Sequence, residues 1–255
     1  MTKLHFQQLG DSLEHLVLIH GLFGSLENLN MVAKPLAEDY TVTSLDVRNH
    51  GHSFHENNMN YANLAQDVIH TLDSLGIQKA HVLGHSMGGK IAMQLATQFP
   101  DRIEKLIIAD ISPVAYPSHH QQIIEGLKAI DLISIEKRAD ADKQLAAYVD
   151  NIGVRQFLLR NLSFSGESPA FKCNLDFIAN CYPQIMKGLD GDVSFSGETI
   201  FIKGGNSDYI VREHQAVIAK YFPKSKAKII QGAGHWLHAE KTVAFNKIVN
   251  DFLSN

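Results

Sequence analysis

The 255-residue sequence predicts an α/β protein: a mostly parallel sheet with helices on both faces and an inserted helical cap. Three observations carry this. Continuous apolar runs such as Leu16-Val17-Leu18-Ile19 and Leu106-Ile107-Ile108-Ala109 look like strands buried on both faces. They alternate with segments whose apolar residues recur at helical spacing, the rhythm of βα units on a parallel sheet. The alternation then stops at Pro113 and resumes only after about Leu189. A stretch that long is not a loop within a compact sheet. Residues 1–112 and 190–255 are therefore expected to form the core, and 113–189 a helical cap laid over the strand ends.

Taken in order, the first apolar run ends in His20-Gly21-Leu22-Phe23-Gly24-Ser25, and a helix is expected from about Glu27 to Ala37. Tyr40 to Leu45 reads as the next strand, running into Asp46-Val47-Arg48-Asn49-His50-Gly51-His52-Ser53. From about Asn60 to Leu75, Leu64, Val68, Ile69 and Leu72 mark one helical face, closed by Gly76. Ala80-His81-Val82-Leu83 is a strand leading into Gly84-His85-Ser86-Met87-Gly88, and the helix behind it stops at Phe99-Pro100. The strand Leu106–Ala109 ends in Asp110. Within 113–189 only helical patterns are visible: Ile123, Ile124, Leu127 and Ile130 on one face, then Leu145 with Val149, then Leu175, Ile178 and Ala179. Strand Thr199–Ile202, a helix near Glu213–Tyr221, strand Ala227–Ile230 and a helix from about Val243 to Leu253 complete the chain.

Composition excludes several classes. Hydrophobic content of 45% and charged content of 20% are those of an ordinary globular protein, and the net charge of −4 gives no basic footprint for nucleic acid. No apolar run is long enough to span a bilayer, and Met1–Ser12 lacks the apolar core of a signal peptide. Two cysteines, Cys173 and Cys181, form no disulfide framework and fit a reducing compartment, so a cytoplasmic location is expected. Fourteen histidines invite a metal, yet His50, His52 and His55, or His119 and His120, match no zinc spacing. Neither metal nor cofactor is expected.

The Gly-x-Ser-x-Gly stretch carries the chemistry. Between a strand and a helix it forms a turn tight enough to require glycine on both sides of Ser86. The following helix aims its free N–H groups and positive dipole end at any anion beside that hydroxyl. Ser86 is thus the candidate nucleophile, and His235, after the last strand in Gly232-Ala233-Gly234-His235-Trp236, the candidate base. The backbone N–H groups of Leu22 and Met87 are candidate donors to an oxyanion. His20 and His85 are read as holding loops through the backbone, and Asp46 and Arg48 as bracing the loop around the site. Trp236 and Phe23 suit either a pocket wall or plain packing.

Together, His20-Gly21-Leu22-Phe23-Gly24, Asp46–Ser53, Gly84–Gly89 and Gly232–Trp236 resemble the α/β-hydrolase superfamily, with the helical insertion where that family carries its lid. More narrowly, His-Gly-Leu-Phe-Gly-Ser, Arg-Asn-His-Gly and Gly-Gly-Asn-Ser resemble the small bacterial esterases of the YbfF type. The resemblance implies an α/β-hydrolase fold and cofactor-free cleavage of carboxylic esters and acyl-CoA thioesters. The partner is then a small-molecule ester or acyl-CoA, with neither nucleic acid nor membrane. A serine at the elbow suits an acyl-enzyme, whereas relatives that open epoxides or displace halide use a carboxylate. In such folds the acid usually follows the strand before the histidine strand. Here Gly204-Gly205-Asn206-Ser207-Asp208 offers Ser207 or Asp208, depending on which glycine starts the count. Asp110, one strand earlier, is the favoured acid, with Ser207 assisting, and Asp208 is the alternative. Two rival functions share the pattern: a carbon–carbon bond hydrolase, and a non-catalytic binding protein that keeps the fold.

Overall fold

The computed structural model describes residues 2–189 and 191–255; Met1 and Asp190, the expected boundary residue, lie outside the described residues. Seven strands form one sheet: β1 (Phe6–Leu9), β2 (His15–Ile19), β3 (Thr41–Leu45), β4 (Ala80–His85), β5 (Ile103–Ala109), β8 (Glu198–Gly204) and β9 (Ser225–Ile230). Their spatial order is β1-β3-β2-β4-β5-β8-β9, with only β1 antiparallel to its neighbour. The crossovers carry α1 (Asn30–Leu36), α2 (Tyr61–Ser74), α3 (Met87–Gln98) and α8 (Gln215–Tyr221), and the chain closes with α9 (Leu237–Glu240) and α10 (Thr242–Leu253). A short 3-10 turn, Leu26–Leu29, takes the first part of the helix expected from Glu27.

The continuous apolar runs are explained by what covers them. Leu16 and Leu18 face α1 and α10, packing among Val32, Ala33, Phe245 and Val249, while Val17 and Ile19 face the opposite side among Val68, Leu72, Ile91 and Leu95. Strand side chains alternate by face, so a strand covered twice must be apolar at every position. Each such fully buried side chain contributes about 1.5–3 kcal/mol. Helix α2 starts where the Asn60 side chain accepts the N–H of Asn63 at 2.9 Å, and ends at Gly76, whose φ of +72° favours glycine.

Between β5 and β8 the chain runs through α4 (Gln121–Lys128), α5 (Arg138–Leu145), α6 (Ile152–Leu158) and α7 (Leu175–Ile185). This stretch also holds a two-stranded hairpin, β6 (Leu162–Ser163) with β7 (Ala170–Phe171), where the sequence reading expects only helices. Two residues per strand are too few for a periodic signal. Leu127, Leu145, Leu158 and Ile178 join the same apolar cluster as α2 and α3, so this helical segment shares the core on that side of the sheet. Its tethers are polar. Tyr61 Oη donates to Ile185 O at 2.5 Å, and Asn161 Nδ2 donates to Phe23 O at 2.5 Å. The Asn174 N–H bonds Asn49 O at 2.9 Å.

Candidate active site

Ser86 lies between β4 and α3 with φ +54° and ψ −122°, a conformation that strains any residue with a side chain. What enforces it is the approach of three backbones. A Cβ on Gly84 would lie 2.1 Å from Gly88 O, and one on Gly88 2.1 Å from Ile19 O. The two glycines let α3 begin directly against β2 and β4, which pushes Ser86 out of the turn. Its backbone N–H is tied to Ala109 O at 3.0 Å.

The structure brings four of the expected side chains together. Ser86 Oγ lies 3.0 Å from His235 Nε2, and His235 Nδ1 lies 2.7 Å from Asp110 Oδ2. Asp110 is fully buried at the end of β5, where φ of +51° turns its carboxyl under the imidazole. Oδ1 of Asp110 accepts the N–H of Gly204 at 2.9 Å, and Oδ2 also accepts the hydroxyl of Ser207. With Oδ2 of Asp110 as the acceptor, His235 carries its proton on Nδ1 and presents a free Nε2 to Ser86. Asp208 instead faces solvent and makes no such contact.

The N–H groups of Leu22 and Met87 bond no other described residue, and both residues border the space beside Ser86. Met87 is the first residue of α3, where the free N–H groups of a helix lie. Leu22 sits in a loop held by two buried histidines. His20 Nε2 accepts the Val47 N–H at 3.0 Å while its Nδ1–H donates to Gly21 O at 2.7 Å. His50 does the same, accepting from Phe23 N–H at 3.1 Å and donating to Arg48 O at 3.0 Å. Burial lowers both histidines, His50 to about 3, so each keeps the neutral form that can accept and donate at once. His85 Nε2–H donates to His235 O at 2.8 Å and so fixes the backbone of the candidate base.

Asp46 and Arg48 build the neighbouring loop. Asp46 accepts from the N–H groups of Leu26 at 2.8 Å and His52 at 2.9 Å, and these bonds outweigh its burial to hold the carboxyl below its ordinary value. Arg48 forms a two-pronged pair with Asp67 at 2.6 and 2.7 Å. Neither side chain lines the cavity at Ser86.

A cavity of about 310 Å³ opens over Ser86 and His235, walled by Phe23, Phe157, Leu158 and Trp236, with Trp236 and Phe157 packed at 5.6 Å between ring centroids. Tyr209 stacks on the His235 ring at 3.9 Å and 20°, and its hydroxyl bonds His119 Nε2 at 2.8 Å. Nothing in the local sequence marks Tyr209 or His119 as site residues. Cys173 and Cys181 are buried free thiols in the helical segment. Among the described residues no group of three or more histidine, cysteine or acidic side chains is arranged to hold a metal ion.

With this geometry in place, comparison with known proteins is direct. A family profile described as the alpha/beta hydrolase fold matches residues 14–242. The chain belongs to the α/β-hydrolase family. It is 38% identical to the esterase YbfF of Escherichia coli over 94% of this chain and 93% of that protein. It is 39% identical to the sn-1-specific diacylglycerol lipase ABHD11 of Mus musculus over 96% of this chain and 83% of that one. Among solved structures, a marine microorganism esterase superposes on this hydrolase with a TM-score of 0.95 at 37% identity, covering 98% of this chain and 99% of its own. Among the described residues, no helix of this α/β hydrolase is long and apolar enough to cross a membrane.

Proposed function

We propose that this α/β hydrolase cleaves carboxylic esters, and acyl-CoA thioesters by the same route, through an acyl-enzyme on Ser86. The observation that carries the reading is the unbroken line Ser86 Oγ–His235 Nε2 at 3.0 Å and His235 Nδ1–Asp110 Oδ2 at 2.7 Å, opening into an apolar-walled cavity. The named esterases and lipase among its relatives support the substrate class.

Ser86 Oγ attacks the carbonyl carbon as its proton passes to His235 Nε2. The developing oxyanion is received by the N–H groups of Leu22 and Met87, reinforced by the N-terminal dipole of α3; removing one such donor typically costs about 10²–10³ in rate. Asp110 stabilises the imidazolium and fixes its tautomer, and Ser207 and the Gly204 N–H fix Asp110. The intermediate collapses by breaking the bond to the leaving oxygen or sulfur, which takes the proton from His235 Nε2. Water then attacks the acyl-enzyme with His235 again as base, releasing the acid and restoring Ser86. Residues 113–189 act as the cap that keeps the site dry, and the partner is a small molecule reached without metal or cofactor. A cytoplasmic location suits the two free thiols.

The test is kcat/KM for p-nitrophenyl acetate and acetyl-CoA, with Ser86→Ala as control. Both substrates are expected to turn over, and Ser86→Ala to lose at least about 10³-fold, since nucleophile and base act as one unit. Ester cleavage without thioester cleavage would restrict the proposal to esters. A Ser86→Ala enzyme running at the wild-type rate would overturn it.

A further inference from the structure

Ser86 opens on two spaces, not one. Beside the cavity of about 310 Å³ lies a slot of about 30 Å³. Leu22, Ser86, His119, His120 and Tyr209 border both, but His235 borders only the larger. The slot alone is lined by Tyr61, Met87, Lys90, Tyr116 and Met186.

This asymmetry assigns the two halves of an ester. In the tetrahedral intermediate the carbon carries Ser86 Oγ, the oxyanion held at Leu22 and Met87, the leaving atom and the acyl chain. The leaving atom must take its proton from His235 Nε2, so the alcohol or thiol portion belongs on the side that His235 borders. The oxyanion sits at the edge of the slot that Leu22 and Met87 border, and the acyl chain is left to the rest of the slot, toward Lys90 and Met186.

The slot has a built floor. Lys90 stands one helical turn after Ser86 on α3 and is only 2% exposed. Its Nζ donates to Lys187 O at 2.5 Å and lies 4.7 Å from the Tyr116 ring centroid and 5.5 Å from that of Tyr61. The two rings are themselves fixed, Tyr61 Oη to Ile185 O and Tyr116 Oη to Tyr209 O, each at 2.5 Å. A long flexible side chain anchored at its tip between two pinned rings is a wall, not a mobile filler.

Resting on Ser86 as the nucleophile, we propose that the slot receives the acyl chain and that Lys90 closes it, making Lys90 the residue that sets acyl length. A space of this size takes about two water-sized groups, which corresponds to acyl chains of about two to four carbons. The larger cavity receives the alcohol or thiol portion.

Two ester series separate these assignments: p-nitrophenyl acetate, butyrate, hexanoate and octanoate for the acyl side, and ethyl, hexyl and octyl acetates for the alcohol side. The wild type is expected to prefer acetate or butyrate and to fall steeply by octanoate. Lys90→Ala, and independently Met186→Ala, are each expected to raise the octanoate-to-acetate ratio of kcat/KM about tenfold or more, the scale on which apolar pockets discriminate chain length. The alcohol series should keep its wild-type ratios. Each variant is checked by its thermal midpoint, and Met186→Ala carries the test if Lys90→Ala fails to fold. A wild type fastest on octanoate, a folded variant of either kind with the wild-type ratio, or a shift confined to the alcohol series would overturn the assignment. Should acetate turn over while the ratios stay fixed, the slot assignment alone fails; should no ester turn over, the nucleophile reading fails with it.

Discussion

Asp110 receives three donors in a site that water does not reach: the His235 ring, the Ser207 hydroxyl and the Gly204 N–H. Removing its charge should therefore matter far more than removing any other acid nearby. Asp110→Asn is expected to lower kcat by about 10⁴, the cost of the equivalent change in a serine protease. Ser207→Ala should cost between about 12- and 150-fold, matching roughly 1.5–3 kcal/mol for one hydrogen bond to a buried charged group. Asp208→Asn, in solvent, should leave kcat within about threefold, since exposed substitutions shift energies by about 0.5 kcal/mol. Steady-state kinetics on one ester, with thermal midpoints, compares all three; a collapse in Asp208→Asn with Asp110→Asn intact would reverse the roles. At this scale the sequence is legible where a residue's neighbours in the chain define it. Ser86 and His235 stand in such motifs. The choice between Asp110 and Asp208 does not, because it depends on a positive φ at one strand end and on which strand lies beneath the histidine. Tyr209 on His235 is a contact between positions 26 apart, and no local pattern encodes it.

At the scale of elements, long apolar runs and 3.6-residue faces were readable because burial on two sides leaves no freedom of composition: β2, β4, β5, α2 and α3 lie within a few residues of their expected bounds. Strand β1 carries no such signal, since Phe6-Gln7-Gln8-Leu9 sits on a sheet edge, half exposed, with polar residues in the middle. Buried histidines stand in the loops and in α9, and this has a consequence in acid. Burial pushes His50 down to about 3 and His238 to about 4. In the unfolded chain both bind protons below roughly 6.5. Between those limits the unfolded state holds more protons, so stability falls as pH drops. Each histidine contributes a slope of up to about 1.4 kcal/mol per pH unit. Thermal midpoints measured from pH 8 to pH 5 should be level above about 6.5 and decline below it. A midpoint that stays level down to pH 5 would mean that these rings do not remain neutral in the folded protein.

For the whole molecule, one arrangement unites the sheet, the helical segment and the proposed chemistry. The loop after β2, the end of β4 and the turn after β9 converge on the cavity at Ser86, and the segment between β5 and β8 supplies its far wall through Phe157, Leu158 and His119. Everything proposed for this hydrolase then rests on one atom, Ser86 Oγ, being activated by its surroundings. A fluorophosphonate probe reports that directly, because it reacts with a serine only where a base takes the proton and donors receive the developing oxyanion. The protein is incubated with the probe, digested, and the adduct located by mass spectrometry, with His235→Ala treated in parallel. Stoichiometric labelling confined to Ser86, lost in His235→Ala, is the expected result. An adduct on another residue, or an unlabelled Ser86 in protein that is hydrolysing ester, would contradict it.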